Sequence, residues 1–211
     1  MLTQNIPEPV DYATADWPFP VRVVRNGRPK GFGANHNAAF ALSKGRYFCV
    51  LNPDVRLRGD PFPRLQSVLD DEGTGVVAPR VVNPSSVAED NARPFPTIVS
   101  LAKKALFGAS AHEPAGQGPP EAPDWVAGMF MLFRRDSFER VGGFDDRFFL
   151  YYEDVDICAR LRQAGYAVRV EPGVTVIHDA RRQSHRSLRY ARWHMSSMGR
   201  YLMRRYTGYY R

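Results

Sequence analysis

Arg46-Tyr-Phe-Cys-Val-Leu51, followed directly by Asn52-Pro53-Asp54, carries the strongest indication of fold class in the chain. After the arginine the side chains are apolar or aromatic and do not alternate with polar ones, which predicts a strand covered on both faces. Helical patterns lie on either side of it, over 34–43 and 61–71, and another strand is predicted over 75–79. Because strands alternate with helices, we predict an α/β protein with a mostly parallel central sheet flanked by helices.

The composition is that of one ordinary globular domain, with 211 residues and 44% hydrophobic side chains. The net charge of +7 indicates attraction to an anionic partner, a description that fits nucleic acid, acidic lipid headgroups and phosphorylated small molecules. Nucleic acid ranks last among these, because the arginines near the C-terminus do not belong to a known recognition motif. We therefore expect no nucleic-acid partner.

Cysteine usage and hydropathy indicate the compartment. Cys49 and Cys158 lie in apolar segments without CxxC spacing, so neither a disulfide nor a zinc site is expected. Apolar runs fall short of the roughly 20 residues that span a bilayer, and the N-terminus lacks the pattern of a secretion signal. These features predict a cytoplasmic protein.

The chain divides into three parts by composition. Residues 1–20 are rich in proline and predict an irregular segment, 21–183 form the α/β domain, and 184–211 predict a basic helix. Within the domain, 83–124 is rich in Pro, Gly, Ala and Ser, which predicts a mobile loop carrying a short helix over 98–107. Two interpretations of the basic helix stay open. It either contacts anionic lipid or packs on the core with a solvated basic face.

Asp54 follows the predicted buried strand directly. A carboxylate at that point lies at the carboxyl edge of the sheet, where open α/β sheets bind their ligands. A divalent cation that bridges two phosphates prefers one or two such oxygens. On these residues alone, however, Asn52-Pro53-Asp54 is more simply interpreted as a turn.

A second group of carboxylates, Glu153, Asp154 and Asp156, opens a predicted helix over 153–163. Acidic residues in a first turn are stabilised by the helix dipole, and Asp156 is spaced for an ordinary pair with Arg160. Aromatic residues precede the group, however, and a carboxylate beside aromatic rings suits a general base that accepts the proton of a substrate hydroxyl. From spacing alone both interpretations stay open.

The chain as a whole resembles the family-2 inverting glycosyltransferases of GT-A fold, in particular bacterial rhamnosyltransferases. The resemblance covers about residues 21–190 and is strongest from Trp125 onward. The matching motifs follow one another in the family's order and spacing: Asn26, Gly31-Phe32-Gly33, Asn37, Asp54, Val126-Ala-Gly-Met-Phe-Met-Leu-Phe-Arg-Arg135, Val141-Gly-Gly-Phe-Asp-Asp-Arg-Phe-Phe-Leu150, Glu153-Asp154 and His178.

The resemblance implies a catalytic role for the carboxylates. Asp154 would be the base that deprotonates the acceptor hydroxyl, while Glu153 and Asp156 would shape the site or touch the acceptor. Attack from the side opposite the nucleotide would invert the anomeric carbon without a covalent enzyme intermediate.

The resemblance also implies a divalent cation, Mn²⁺ or Mg²⁺. Asn52-Pro53-Asp54 occupies the DxD position of the family with asparagine in place of the first aspartate. Asp54 and His178 would hold the metal, which would screen the leaving diphosphate.

Binding residues follow from the same match. Gly31, Phe32, Asn37 and Asn52 would border the nucleotide, since backbone N–H groups at the start of a helix suit a phosphate. The sugar or acceptor would be bordered by Trp125, Gly128 and Met129.

The chain departs from the family at its beginning, where the first strand and helix and the Asp-rich turn after the second strand are missing. Either the protein starts upstream of Met1, or this is a shortened relative. We expect transfer of a sugar, with rhamnose from dTDP-rhamnose as the leading suggestion, to a polysaccharide or lipid-linked acceptor at the inner face of the cell membrane. The alternative is an inactive carbohydrate- or partner-binding remnant of the fold.

Overall fold

A computed structural model describes residues 1–5, 18–107, 122–178 and 188–210. The strands are β1 (Leu2–Gln4), β2 (Val23–Arg25), β3 (Tyr47–Leu51), β4 (Val55–Leu57), β5 (Thr74–Val82), β6 (Ala92–Arg93), β7 (Trp125–Val126), β8 (Phe130–Arg134) and β9 (Ala167–His178). The helices are α1 (Phe32–Ala41), α2 (Phe62–Leu69), α3 (Ile98–Phe107), α4 (Arg135–Arg140), α5 (Glu153–Gln163) and α6 (Leu188–Tyr206). Helix α5 has the predicted bounds. Residues 108–121 of the loop predicted over 83–124 lie outside the described residues.

The central sheet has five described strands in the order β3-β8-β5-β9-β4. Only β5 and β9 pair in parallel, while the other neighbours are antiparallel, so the prediction of a mostly parallel sheet is wrong. Within this sheet β3 is an edge strand, with Phe48 and Val50 buried and Leu51 exposed. A run of apolar residues indicates that a strand is buried, but it does not show whether the neighbouring strand runs parallel or antiparallel to it. β1 pairs with β2 in parallel, and β6 pairs with β7 antiparallel.

The core lies on both faces of the sheet because β5 is buried on both sides. Val77 and Val81 face α2, whose Leu65 and Leu69 are fully buried. On the opposite face β5 packs with α4, α5 and α6 in a second apolar cluster. Burying a leucine of this kind contributes about 1.5–3 kcal/mol, so α2 is attached mainly through its two leucines.

β9 is one continuous strand, although Pro172-Gly173 predicts a break. The ladder with β5 jumps from the pair Pro79–Glu171 to the pair Arg80–Thr175, so the extra residues bulge out without ending the strand. The strand therefore continues to His178, which pairs with Val55 at the start of β4.

Helix α6 packs one face on the core, where Tyr201 and Arg204 are buried. Its other face is exposed. Among the described helices, α6 included, none combines the length and the apolar character needed to cross a bilayer.

Candidate functional site

The turn after β3 brings Asp54 beside His178. The N–H of Asn52 donates to the carbonyl of Met129 at 3.0 Å, and the N–H of Val55 donates to the carbonyl of Asn52 at 3.2 Å. Because Val55 is the register partner of His178, Asp54 lies next to the imidazole. Its Oδ1 is 3.5 Å from Nε2 of His178.

Glu89, which the sequence analysis did not single out, holds the other side of this imidazole. Its Oε2 lies 3.0 Å from Nδ1 of His178, and its backbone N–H donates to the carbonyl of Val81 at 2.9 Å. This contact fits a proton on Nδ1, a tautomer that would leave the lone pair of Nε2 for a cation beside Asp54. Metal-binding histidines are commonly oriented by a carboxylate in this way.

The chemistry of Asp54 and His178 fits a divalent cation. Oδ1 of Asp54 is buried and has no hydrogen-bond partner within the described parts of the chain. A buried, unpaired carboxylate oxygen is costly unless a cation or a donor satisfies it. The described residues contain no group of three or more His, Cys, Asp or Glu side chains arranged to hold a metal. Two protein ligands would thus leave the other coordination positions to phosphate oxygens and water.

The second carboxylate group stands at the start of α5, after a turn with unusual backbone angles. Tyr151 and Tyr152 have φ values of +70° and +65°, a region that costs about 1–3 kcal/mol for each non-glycine residue. The ring of His194 on α6 lies 5.3 Å from the Tyr151 ring and 5.5 Å from the Tyr152 ring. Ser197 also donates its hydroxyl to the carbonyl of Leu150 at 2.9 Å. Helix α6 thus supports the strained turn that positions the carboxylates.

Asp154 is half-buried and is held by two backbone hydrogen bonds. Oδ2 accepts the N–H of Gly128 at 3.0 Å, and Oδ1 accepts the N–H of Val155 at 2.8 Å. Burial raises the pKa of this carboxyl, and the two hydrogen bonds oppose the shift without cancelling it. A raised pKa brings a carboxylate closer to the range in which a general base works.

Glu153 is buried beside Asp154, and its Oε2 lacks a hydrogen-bond partner among the residues described. Burial raises its pKa well above the ordinary value, and the charge of Asp154 raises it further. Two adjacent carboxyls in a dry environment resist carrying two charges. The arrangement therefore favours one negative charge on the pair.

The turn that carries Asp54 and the carboxylate of Asp154 are both hydrogen-bonded to the dipeptide Gly128-Met129. The Asn52-Pro53-Asp54 turn is bonded to the carbonyl of Met129, while Asp154 accepts the N–H of the preceding Gly128. Consecutive Cα atoms are about 3.8 Å apart, so the candidate metal ligands and the candidate base lie on either side of one dipeptide. The structure thereby joins residues that are far apart in sequence.

Gly128 and Trp125 form one wall of the site. A Cβ atom on Gly128 would lie 3.3 Å from the ring of Phe32 and 3.7 Å from Cβ of Asp154. The indole N–H of Trp125 donates to the carbonyl of Pro94 at 3.0 Å and its side chain is buried. Gly128 therefore contacts both Asp154 and the ring of Phe32, whereas Trp125 acts as framework. The side chain of Met129 likewise packs against the core.

Arg93 is a second residue that the sequence analysis did not identify. It pairs with Trp125 in the β6–β7 ladder, and its guanidinium lies 5.6 Å from the centre of the indole ring. Its positive charge lowers the pKa of Asp154, although less than burial raises it. Neither Arg93 nor Glu89 belongs to a recognisable motif, and no spacing signal could have found them.

The start of α1 faces the loop before α5. The N–H of Phe32 donates to the carbonyl of Phe149 at 2.8 Å, and a Cβ on Gly31 would lie 2.9 Å from that oxygen. Glycine is required at 31 by this close approach.

Asn37 supports the loop that follows α4. Its amide group donates to the carbonyl of Phe144 at 2.8 Å and accepts the N–H of the same residue at 2.9 Å. It also donates to Asp146 at 2.7 Å. These contacts give Asn37 a structural role, and its place beside the nucleotide stays a prediction.

Asp156 also departs from expectation, because its carboxylate is fully buried away from the site. Oδ2 bonds Nε of Arg160 at 2.8 Å, and Oδ1 accepts from Nη1 of Arg204 and from the hydroxyl of Tyr210, both at 2.5 Å. With both oxygens bonded, Asp156 joins α5 to α6 instead of contacting an acceptor.

Comparison with known proteins gives a consistent result. The family model "Glycosyl transferase family 2" matches residues 3–142, more than half of the chain, and "N-terminal domain of galactosyltransferase" matches residues 119–204. Rhamnosyltransferase WbbL of Escherichia coli (strain K12) is 30% identical over 192 residues, covering 85% of this chain and 73% of that protein.

A further relative is the N-acetylglucosaminyl-diphospho-decaprenol L-rhamnosyltransferase of Mycobacterium tuberculosis, 32% identical over 139 residues. That alignment covers 61% of this chain and 45% of the relative, so the chain spans less than half of that protein. Among solved structures, GalNAc-T7 with UDP, GalNAc and Mn²⁺ aligns with a TM-score of 0.57 at 17% identity, covering 76% of this chain and 32% of that one. This last likeness is one of fold alone.

Proposed function

Because the chain belongs to glycosyl transferase family 2 and has the GT-A fold, we propose that it transfers a sugar from a nucleotide-diphosphate donor to a glycan or lipid-linked acceptor, with inversion. The observation that carries this proposal is the backbone connection through Gly128 and Met129, which joins the half-buried carboxylate of Asp154 to the turn of Asp54. In this proposal residues 21–183 form the catalytic domain.

Asp154 is the general base of the proposed reaction. It accepts the proton of the acceptor hydroxyl, whose oxygen then forms a bond with the anomeric carbon while the bond from that carbon to the diphosphate breaks. The N–H groups of Gly128 and Val155 hold the carboxylate in one orientation. Burial and the charge of Asp154 raise the pKa of the Glu153 carboxyl well above its ordinary value, which favours a single negative charge on the pair.

A divalent cation, Mn²⁺ or Mg²⁺, would be held by Asp54 and His178. When bound, it would screen the charge of the leaving diphosphate. Support comes from Oδ1 of Asp54, a buried oxygen that accepts no hydrogen bond within the described residues, and from Glu89, which holds the imidazole of His178 beside that oxygen. We propose that Asn52, which precedes Asp54, and Gly31 and Phe32, at the start of α1, border the nucleotide.

Rhamnose is the proposed sugar and dTDP-rhamnose the proposed donor. The names of the two relatives specify rhamnosyl transfer, and one of them names a diphospho-decaprenol acceptor. We further propose that the protein acts at the inner face of the cell membrane, where a lipid-linked acceptor would present its sugar.

The test is transfer of rhamnose from dTDP-rhamnose, in the presence of Mn²⁺, to a lipid-diphosphate-linked N-acetylglucosamine. Asp154→Asn should lower the rate by about 10²–10⁴-fold, the range for loss of a general base. Asp70→Asn is a matched control, because Asp70 has a 63% exposed side chain with two long contacts, a 3.7 Å ion pair with Arg46 and a 3.4 Å hydrogen bond from the hydroxyl of Tyr47. If the wild type does not turn over and Asp154→Asn leaves sugar binding unchanged, the chain is an inactive sugar-binding relative instead.

A further inference from the structure

Helix α3 exposes large apolar side chains that nothing in the described structure covers. None of its ten residues, all of them described, is buried. Leu106 and Phe107 are 77% and 71% exposed, and Ile98 and Val99 are exposed as well. A patch of apolar side chains on a solvent-exposed surface indicates an interaction site.

Helix α6 also exposes large apolar side chains on its outer side. Leu188 is 87% exposed and Met203 is 59% exposed. The two helices meet where the N–H of Ile98 donates to the hydroxyl of Tyr206 at 3.3 Å. Nearby, the guanidinium of Arg205 lies 5.7 Å from the ring of Phe95. The exposed apolar side chains therefore belong to neighbouring elements.

The charges of both helices have one sign. Neither α3 nor α6 contains an acidic residue. Lys103 and Lys104 are exposed on α3, as are Arg189 and Arg192 on α6. Apolar side chains flanked only by cations are typical of helices that lie in the interface of an anionic bilayer.

We propose that α3 and the outer side of α6 form a membrane-docking face that binds an anionic lipid bilayer. Leu106 and Phe107 enter the boundary between headgroups and acyl chains, while Lys103 and Lys104 contact lipid phosphates. The basic outer side of α6 contributes charge, whereas its inner side packs on the core.

The position of α3 connects this face to the proposed reaction. Arg93, whose charge acts on Asp154, lies in β6, only a few residues before α3. The wall of the site is bonded to the same segment, since Trp125 donates to the carbonyl of Pro94. A docked α3 brings the acceptor side of the site close to the headgroups. This consequence, unlike lipid binding itself, rests on the proposed function.

The experiment measures co-sedimentation with phospholipid vesicles, without donor or acceptor. We expect binding to phosphatidylcholine vesicles that contain about 30% phosphatidylglycerol, with much weaker binding to pure phosphatidylcholine. L106E/F107E should lower the affinity about tenfold or more, because the inserted apolar side chains are lost. K103E/K104E should lower it as well, and its remaining binding should depend less on salt.

Leu42→Glu is the matched control, since Leu42 is 43% exposed at the end of α1 and belongs to neither helix of the face. It should bind vesicles like the wild type. Circular dichroism shows whether each variant is folded. Undiminished binding by L106E/F107E, or equal binding of the wild type to neutral vesicles, would overturn the proposal.

A self-associating surface is the competing outcome. If the wild type is a dimer without lipid and L106E/F107E is a monomer that still binds vesicles, the face joins two copies and the proposal fails. Rhamnosyl transfer to a water-soluble acceptor is measured separately and should be unchanged in L106E/F107E. Lack of transfer by the wild type would remove the proposed function but leave the vesicle result intact.

Discussion

Glu89 and His178 form a hydrogen-bonded pair in which Oε2 of the carboxylate lies 3.0 Å from Nδ1 of the imidazole. The pair places Nε2 3.5 Å from Oδ1 of Asp54, an oxygen that is buried and accepts no hydrogen bond within the described structure. Glu89 is therefore a positioning residue for the proposed metal site.

Glu89→Gln should weaken Mn²⁺ binding by about 10–100-fold, the usual effect of losing a carboxylate behind a metal-binding histidine. Free Mn²⁺ is measured by electron paramagnetic resonance in the presence of dTDP. Glu139→Gln is the control, since Glu139 has a 55% exposed side chain paired with Arg135. Equal Mn²⁺ affinity in the two variants would show that Glu89 does not orient a metal ligand.

The pH dependence of transfer should show the titration of Asp154. A general base works deprotonated, so kcat/KM should fall as the pH decreases through its pKa. Because burial raises that pKa, the fall should occur at a higher pH than for an ordinary aspartate. The profile is measured at saturating Mn²⁺. A rate that stays constant down to the ordinary aspartate range would contradict the assignment.

Glu153→Gln should raise stability at alkaline pH. A carboxyl with a raised pKa binds more protons in the folded than in the unfolded state, so its contribution to stability is lost as the pH rises through the folded pKa. Glutamine does not ionise, so Glu153→Gln avoids this loss of stability at high pH. Since 1 kcal/mol shifts the Tm of a chain this long by about 2–4 °C, we expect a gain of a few degrees at pH 8 over the wild type, and less at pH 5. Calorimetry at both pH values tests this, and an equal effect at both would refute it.

Arg204→Ala should destabilise the fold strongly. Arg204 is buried and bonds both Asp145 and Asp156, so its removal takes one of two cations from each carboxylate and leaves Arg147 on Asp145 and Arg160 on Asp156. Loss of one partner of a buried ion pair costs up to about 3–5 kcal/mol, and the remaining arginines should keep the loss below that limit. Urea unfolding measures the change against Arg192→Ala, an exposed arginine of the same helix. Similar stability of both variants would mean that the network contributes little.

Gly128→Ala should impair transfer while leaving the fold intact. The added Cβ would lie 3.3 Å from the Phe32 ring, closer than an ordinary contact, so either the ring or the backbone at residue 128, whose N–H holds Asp154, must shift. Misplacement of a catalytic group by about 1 Å can lower the rate on the order of 10²-fold, and a shift of a few tenths of an ångström should lower it less. Gly27→Ala is the control because its Cβ meets nothing within 4 Å. Activity equal to that of Gly27→Ala would place Gly128 outside the site.

Much of the local structure could be predicted from the sequence. Helix α5 begins and ends at the predicted residues, in keeping with its acidic first turn and with Gly165 just beyond its end. Pro172 and Gly173 are residues that usually end a strand, yet pairing with β5 carries β9 past them as a bulge. Local preferences cannot anticipate a partner strand that holds both sides of such an interruption.

The sequence by itself determined the family, the elements and the carboxylates at Asp54 and at Glu153-Asp154, since these depend on residue type and short spacing. Only the tertiary structure decided which polar side chains meet. It brought Glu89 to His178 and Arg93 near Asp154. It also gave Asp156 and Asn37 hydrogen bonds that stabilise the fold. The physical reason is that burial and pairing at a distance set the hydrogen bonds and charges around a group, and neither is encoded in the residues next to it.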